Sequence, residues 1–149
     1  MKKIIATIIL ILPFAFSLSA QVKKKTAAPV KAATSSVNAL ASITRGKAVY
    51  AQSCIACHQA DGGGVQGLNP PLSKTEYVLG DKNRLINIVL KGLNKDLEID
   101  GDVYSNPMPP LNYLTDQQVA DVLTYVRNNF QNKASAVTVA QVKAARAQK

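Results

Sequence analysis

One pentapeptide, Cys54-Ile55-Ala56-Cys57-His58, constrains this chain more than any other stretch. It contains both cysteines and the single histidine of a protein of 149 residues. Two thiols separated by two residues, followed at once by an imidazole, form a compact set of side chains that can hold one group. The fold must therefore bring Cys54, Cys57 and His58 to a single site.

The spacing of these side chains is typical of covalent haem attachment. Cys54 and Cys57 would bond to the vinyl groups of a porphyrin, and His58 would bind the iron. A thioredoxin-like redox pair, a zinc site and an ordinary disulfide remain as alternatives. A redox pair is expected beside a βαβ unit, and a structural zinc site needs four ligands. The motif instead follows a predicted helix and supplies three ligands, so haem is favoured.

The second axial ligand of the iron is predicted by elimination. His58 is the only histidine, and Met1 would leave with a signal peptide, so Met108 is the remaining methionine. It lies between prolines in the segment Asn106 to Pro110, which is stiff and cannot be helical. A lone methionine usually fills a core, but this one belongs to no periodic apolar face. A His/Met pair leaves no open iron position and favours electron transfer.

The N-terminus resembles an export signal. Met1-Lys2-Lys3 is followed by an apolar run from Ile4 to Leu18 and by small residues up to Ala20. This layout predicts a secretory signal peptide over residues 1–20 and a bacterial periplasmic product. An uncleaved membrane anchor is the alternative, although the run contains Pro13 and is shorter than the roughly 20 residues of a spanning helix.

The excess positive charge lies near the two ends of the chain. Residues 21–42 and residues 132–149 each carry four basic residues and no acidic one, whereas residues 43–131 carry eight basic and nine acidic residues. A nucleic-acid-binding fold would need this charge on a structured face. We predict a disordered basic linker over 21–42 and a basic C-terminal tail over 132–149, with a short helix possible after Thr138. Both could contact an acidic partner or a membrane surface.

Residues 43–131 are predicted to form one small, largely helical domain. A glycine at position 46 inside the first helix marks a close approach of another backbone. The predicted elements are a helix from roughly Arg45 to Ser53 capped by Thr44, a helix from about Lys82 to Leu90 or Lys91 capped by Asp81, a hairpin over Leu97–Tyr104, and an amphipathic helix from Thr115 to about Phe130.

Four segments of this domain resemble class I c-type cytochromes with a single haem. They are C-I-A-C-H, N-P-P-L from Asn69, N-P-M-P-P from Asn106, and V-L-T-Y-V-R from Val122. The resemblance implies an all-α cytochrome c fold, in which three to four main helices and long loops surround one covalent haem c. It also implies that the Pro70 carbonyl accepts a hydrogen bond from His58, and that Gly46 and Tyr50 pack against Val122 and Tyr125.

The resemblance implies an electron carrier and no catalytic residue. Its partners would be an exported dehydrogenase, a nitrite reductase or a terminal oxidase. The cofactor-binding residues are Cys54, Cys57, His58, Met108 and Pro70, and His58 and Met108 are the metal ligands. The polar residues Tyr104, Asn106 and Tyr113 are candidates to line the side of the haem that faces Met108. The alternative is a haem c protein with an open sixth position, used for small-ligand sensing or peroxidase-like catalysis.

Overall fold

The structure, a computed structural model, describes residues 31–148. The predicted signal peptide and residues 21–30 of the predicted linker lie outside this range. The predicted all-α class is confirmed, since the described strands form only one two-stranded sheet. None of the described helices combines the length and apolar character needed to span a membrane. The elements are α1 Lys31–Ser53, α2 Ile55–His58, α3 Glu76–Leu79, α4 Lys82–Lys91, β1 Leu97–Ile99, β2 Asp102–Tyr104, α5 Asp116–Arg127 and α6 Val139–Ala147.

Helix α1 begins earlier than predicted. Its first residue is Lys31, so the prediction of a disordered linker is wrong for residues 31–42. Thr44 does not cap the helix, because it lies inside it and its hydroxyl donates to the Leu40 carbonyl. The stretch contains four alanines and no glycine or proline, a composition with high helix propensity that we had interpreted as low complexity.

Helices α1 and α5 cross at close contact. A Cβ atom at Gly46 would lie 2.0 Å from the Asp121 carbonyl oxygen and 2.8 Å from the Tyr125 Cβ. The ring centroids of Tyr50 and Tyr125 are 5.4 Å apart. Gly46 therefore permits the approach of the two helices, as its position in the sequence predicted.

Helix α4 and the hairpin have the predicted boundaries. The Asp81 carboxylate accepts from the Arg84 backbone N–H, and Gly92 ends the helix. Strands β1 and β2 pair antiparallel around Asp100 and Gly101, which both have positive φ. This backbone conformation is the one that a two-residue hairpin turn requires.

Helix α5 starts with the predicted capping box at Thr115 but ends at Arg127, short of Phe130. The Asn132 side chain donates to the Val126 carbonyl and so takes the place of a further helical turn. Phe130 then adopts positive φ. Its ring lies against Tyr50, with centroids 5.2 Å apart, and beside Tyr125. The chain thus reverses where the apolar periodicity alone predicted more helix.

The C-terminal residues belong to the folded core. Helix α6 packs against α4 and α5, and its residues Val142 and Ala145 are fully buried. Its capping box pairs Thr138 with Gln141. The prediction of a tail beginning at residue 132 therefore ends the folded domain too early.

Candidate functional site

An apolar cleft lies between the segment after α2 and the methionine segment. It encloses about 900 Å³ of space, the solvent at its open mouth included. Four of the five predicted cofactor-binding residues line it: Cys57, His58, Pro70 and Met108. The walls come from the helices, the hairpin and the loop after α2; they include Leu72, Val78, Leu85, Leu97, Ile99, Leu123 and Val126.

His58 is held by the partner that the sequence predicted. Its Nδ1 atom lies 3.0 Å from the Pro70 carbonyl oxygen. A carbonyl can only accept a hydrogen bond, so Nδ1 carries the proton and Nε2 keeps its lone pair. Burial lowers the pKa of His58, and the Pro70 contact opposes this in part. The imidazole is therefore neutral near pH 7, the form that binds a metal.

The Pro70 carbonyl reaches His58 because of a glycine that the sequence analysis missed. A Cβ atom at Gly64 would lie 2.6 Å from the Pro70 oxygen and 2.3 Å from the Asn69 oxygen. Gly64 also has φ of +70° and donates its N–H to the His58 carbonyl. The run of three glycines from Gly62 to Gly64 was the available signal in the sequence.

The two cysteines occupy different environments. Both thiols are free; Cys57 is exposed and lines the cleft, whereas Cys54 is half-buried at the N-cap of α2 and is not among the cleft-lining residues. One helical turn connects them, since the Cys57 N–H donates to the Cys54 carbonyl at 3.2 Å. Burial, with a smaller effect of Cys57, raises the pKa of Cys54 to about 11. The Cys54 thiol is thus protonated at neutral pH.

Met108 is fixed through its backbone. Its N–H donates to the Leu93 carbonyl and its carbonyl accepts from the Leu93 N–H, both at 2.9 Å. The neighbouring Gly92 has φ of +75°, and a Cβ atom there would lie 2.5 Å from the Met108 oxygen. The side chain is partly buried and lines the cleft. The end of α4 therefore sets the position of the methionine.

The histidine and methionine segments are joined to each other. The Asn106 N–H donates to the Leu68 carbonyl at 3.0 Å, and the Asn106 side chain donates to the Asn69 side-chain oxygen at 3.2 Å. The Ser105 N–H donates to the Gly67 carbonyl. These contacts tie the loop that carries Pro70 to the loop that carries Met108.

Three polar candidates for the methionine side fall into two groups. Tyr104 and Asn106 line the cleft, and Tyr104 is buried on strand β2. Tyr113 is 68% exposed and does not line the cleft. The first two stay candidates for contact with a bound group, whereas Tyr113 lies elsewhere.

The residues present fit a haem. The cleft offers apolar walls to a porphyrin, and its polar lining is limited to a few groups. An imidazole with a free Nε2 and a thioether are both known haem-iron ligands. The thiols of Cys54 and Cys57 would hold the porphyrin covalently, and this chemistry would supply a redox-active iron in the cleft.

Comparisons with known proteins agree with this chemistry. The sequence model described as cytochrome c matches residues 43–130. The gluconate 2-dehydrogenase cytochrome c subunit of Pantoea cypripedii is 36% identical over 99 residues, 64% of this chain and 22% of that subunit. Cytochrome c-552 of Thermus thermophilus is 35% identical over 85 residues, 54% of this chain and 64% of that protein.

A third relative is a cytochrome c subunit of alcohol dehydrogenase (quinone) from Gluconacetobacter polyoxogenes. It is 30% identical over 112 residues, 65% of this chain and 21% of that subunit. The chain thus spans about a fifth of the dehydrogenase subunits and less than two thirds of cytochrome c-552. The family match over residues 43–130, more than half of the chain, shows that this protein belongs to the cytochrome c family.

Proposed function

We propose that this protein is a single-electron carrier with one covalently bound haem c, ligated by His58 and Met108. The observation that carries the proposal is the convergence of both side chains, with Cys57, on one apolar cleft. Membership of the cytochrome c family supports haem binding and electron transport. When bound, the haem would supply reversible one-electron transfer at its iron.

The residues of the chain divide the work of holding the group. Cys54 and Cys57 anchor it, and the Pro70 carbonyl orients His58 by holding its Nδ1–H. Such a partner fixes the tautomer and ring orientation of a ligating histidine. The pairing of Met108 with Leu93 presents the thioether from a fixed backbone. Because His58 and Met108 would both ligate the iron, no position would be left on it for a substrate.

The visible spectrum of the purified haem protein tests the ligation. We expect a low-spin spectrum in both oxidation states and no binding of carbon monoxide at moderate concentration. Met108→Leu keeps the apolar volume and removes the sulfur, so it should give a high-spin ferric spectrum and admit carbon monoxide. A methionine that only filled space would leave the spectrum of Met108→Leu unchanged. A high-spin wild type would instead support the open-site alternative.

Covalent attachment has a separate test. Haem should stay on the polypeptide in a denaturing gel and add its mass to the intact chain. Cys54→Ala and Cys57→Ala should each weaken the attachment, and the double variant should lose it. Retention of haem by the double variant would refute thioether attachment, whereas absence of haem from the wild type would refute the whole proposal.

We propose that the electron partners are other redox proteins, among them a dehydrogenase. Cytochrome c subunits of gluconate and alcohol dehydrogenases are among the relatives, which supports this class of partner. Export through residues 1–20 is part of the proposal, and the N-terminal sequence of the mature haem protein tests it. A mature protein that begins at Met1 would contradict cleavage.

We propose that the basic residues of the segment 21–42 steer docking. They include Lys23, Lys24 and Lys25. Their removal should slow electron exchange with an acidic partner at low ionic strength and have less effect at high ionic strength, because salt screens exposed charges. If the full-length and the shortened protein exchanged electrons at equal rates at low and at high ionic strength, these residues would not steer docking.

A further inference from the structure

A buried cation without a carboxylate partner lies at the end of α5. Arg127 is 3% exposed. Its Nε–H donates to the Ser135 carbonyl at 2.9 Å, and Nη1 donates to the carbonyls of Val78 and Gly80. All three acceptors are neutral. The ion pairs in the described part of the chain join other residues, so the charge of Arg127 is not neutralised there.

This charge persists at neutral pH. Burial lowers the pKa of Arg127, but a guanidinium does not lose its proton in proteins under ordinary conditions. Taking an ion out of water is costly, and neutral carbonyls repay less of that cost than a carboxylate does. A neutral side chain could bridge the same carbonyls at lower cost. We therefore looked for a function of the buried positive charge of Arg127.

Arg127 lies directly behind the wall of the cleft. The preceding residue, Val126, lines the cleft, and so does Val78, whose carbonyl accepts from Arg127. Val78 and Val126 are both buried apolar residues. In such surroundings a fixed charge acts over a longer distance than it does in water, because the effective dielectric constant is lower.

The segment after α5 covers the Arg127 side chain and separates it from water. Ser135 accepts from its side chain, and the Ala134 N–H donates to the Arg127 carbonyl at 3.0 Å. Lys82 donates to the Ala136 carbonyl at 2.7 Å, which fastens the same segment to α4. This segment lies beyond residue 130, where the family match ends.

We infer that Arg127 raises the reduction potential of the haem in the adjacent cleft, and that residues 134–136 enclose it for this purpose. The inference rests on the proposed function. When the donor protein loses an electron and the haem gains it, the site becomes more negative by one charge. A fixed positive charge nearby lowers the energy of that reduced state, while the donor is oxidised. Arg127 is thus a potential-setting residue that does not touch the haem iron.

The test is the midpoint potential of the intact haem protein. Arg127→Met and Arg127→Gln remove the charge, and glutamine keeps donors for the carbonyls. Both should shift the equilibrium toward the oxidised form by several-fold to about tenfold, where tenfold is about 59 mV for one electron. Arg127→Lys keeps a charge and should restore most of the wild-type potential, which a purely structural role would not predict.

Lys133→Met is the matched control. It removes the same formal charge from an exposed residue of the same segment, where water screens it, and should leave the potential nearly unchanged. Equal potentials for Lys133→Met, Arg127→Gln and the wild type would overturn the inference. An equal loss of potential in Arg127→Lys and Arg127→Gln would also overturn it, since only packing would then explain the shift.

A second pair of variants leaves Arg127 in place. Ala134→Asp puts a carboxylate on the enclosing segment, and Ala134→Asn adds a neutral group of the same size. The potential should fall in Ala134→Asp relative to Ala134→Asn, and equal potentials would count against the inference. All variants are measured only with haem bound and low-spin. A protein without haem would refute the proposed function, whereas unchanged potentials in normal haem protein refute only the role of Arg127.

Discussion

Helices α1 and α6 both pack against α5, but by different means. At α1 the contact depends on a glycine that lets two backbones meet, and on a buried carboxylate, Asp121, bound by Arg45 and Ser42. At α6 it depends on the buried side chains of Val142 and Ala145 and on a partly exposed ion pair. The comparison teaches that backbone approach fixes the first interface, whereas side-chain filling fixes the second.

Substitution of Gly46 should have the largest effect. In Gly46→Val the new Cβ would meet the Asp121 carbonyl, a backbone atom that cannot move aside. We expect the free energy of unfolding of the haem protein to fall by more than about 3 kcal/mol, measured by denaturant titration. Lys47→Val adds the same side chain at an exposed position of α1 and should cost less than about 1 kcal/mol. Similar losses in both would mean that the close crossing is unimportant.

Truncation of Val142 tests the second interface. Val142→Ala leaves a cavity under α6 and should lower the free energy of unfolding by about 2 kcal/mol. The haem spectrum should stay the same, because Val142 does not line the cleft. Val139→Ala, at a partly buried position of the same helix, should cost less. If Val142→Ala cost nothing, α6 would not be docked in solution.

The carboxylate of Asp121 should make the α1 interface sensitive to acid. Burial alone would raise its pKa, but hydrogen bonds from Arg45, Ser42 and Gln117 outweigh this and lower the pKa. A lowered pKa in the folded state means that the stabilisation is complete above the ordinary aspartate pKa and is lost as the pH falls from there through the lowered pKa of the folded state.

Asp121→Asn should therefore cost about 1–2 kcal/mol at pH 7, and the difference from wild type should shrink in acid. Unfolding titrations at neutral pH and below pH 4 check this. Asp116→Asn, at the partly exposed pair with Arg146, is the control. A difference that grew in acid would reverse the sign of the argument.

The smallest effect is expected at the exposed edge of α6. Arg146 pairs with Asp116 at 2.6 Å, with both side chains partly exposed. Arg146→Met should lower the free energy of unfolding by less than about 1 kcal/mol, and the loss should diminish further in salt. Arg146 also donates to the carbonyls of Asn112 and Leu114. A loss as large as that of Val142→Ala would show that these polar contacts of Arg146, and not side-chain filling, hold α6.

The difference between the interfaces also explains what the sequence could predict. A glycine inside a helix usually marks a close approach of another backbone, so a close contact at Gly46 was predictable. That α5 is the partner was implied by the resemblance. The docking of α6 was not, because its apolar face is thin and its burial depends on a surface built from α4 and α5. The early start of α1 was not predicted, because an alanine-rich and polar stretch such as residues 31–42 is compatible with a helix and with a disordered segment.

The candidate site shows the same division. His58 and Met108 could be named from the sequence because one histidine and one usable methionine leave few alternatives. Pro70, one of several loop prolines, was implied only by the resemblance. Gly64 and Gly92 were not assigned to the site. Each allows a carbonyl oxygen to lie where a Cβ atom would otherwise be, and this contact is visible only in the folded chain. Arg127 ends the segment V-L-T-Y-V-R, but its burial was not predicted, because a basic residue at a helix C-terminus is ordinarily solvated.

The hydrogen bonds between residues 67–69 and residues 105–106 have a consequence for the rate of electron exchange. Under the proposed function, the supports of the two axial ligands are parts of one connected unit. When the iron gains or loses one electron, the two ligands could not move independently of each other. Little structural rearrangement would therefore accompany the transfer. A small reorganisation energy is the condition under which an electron can cross quickly between proteins with only a slight difference in potential.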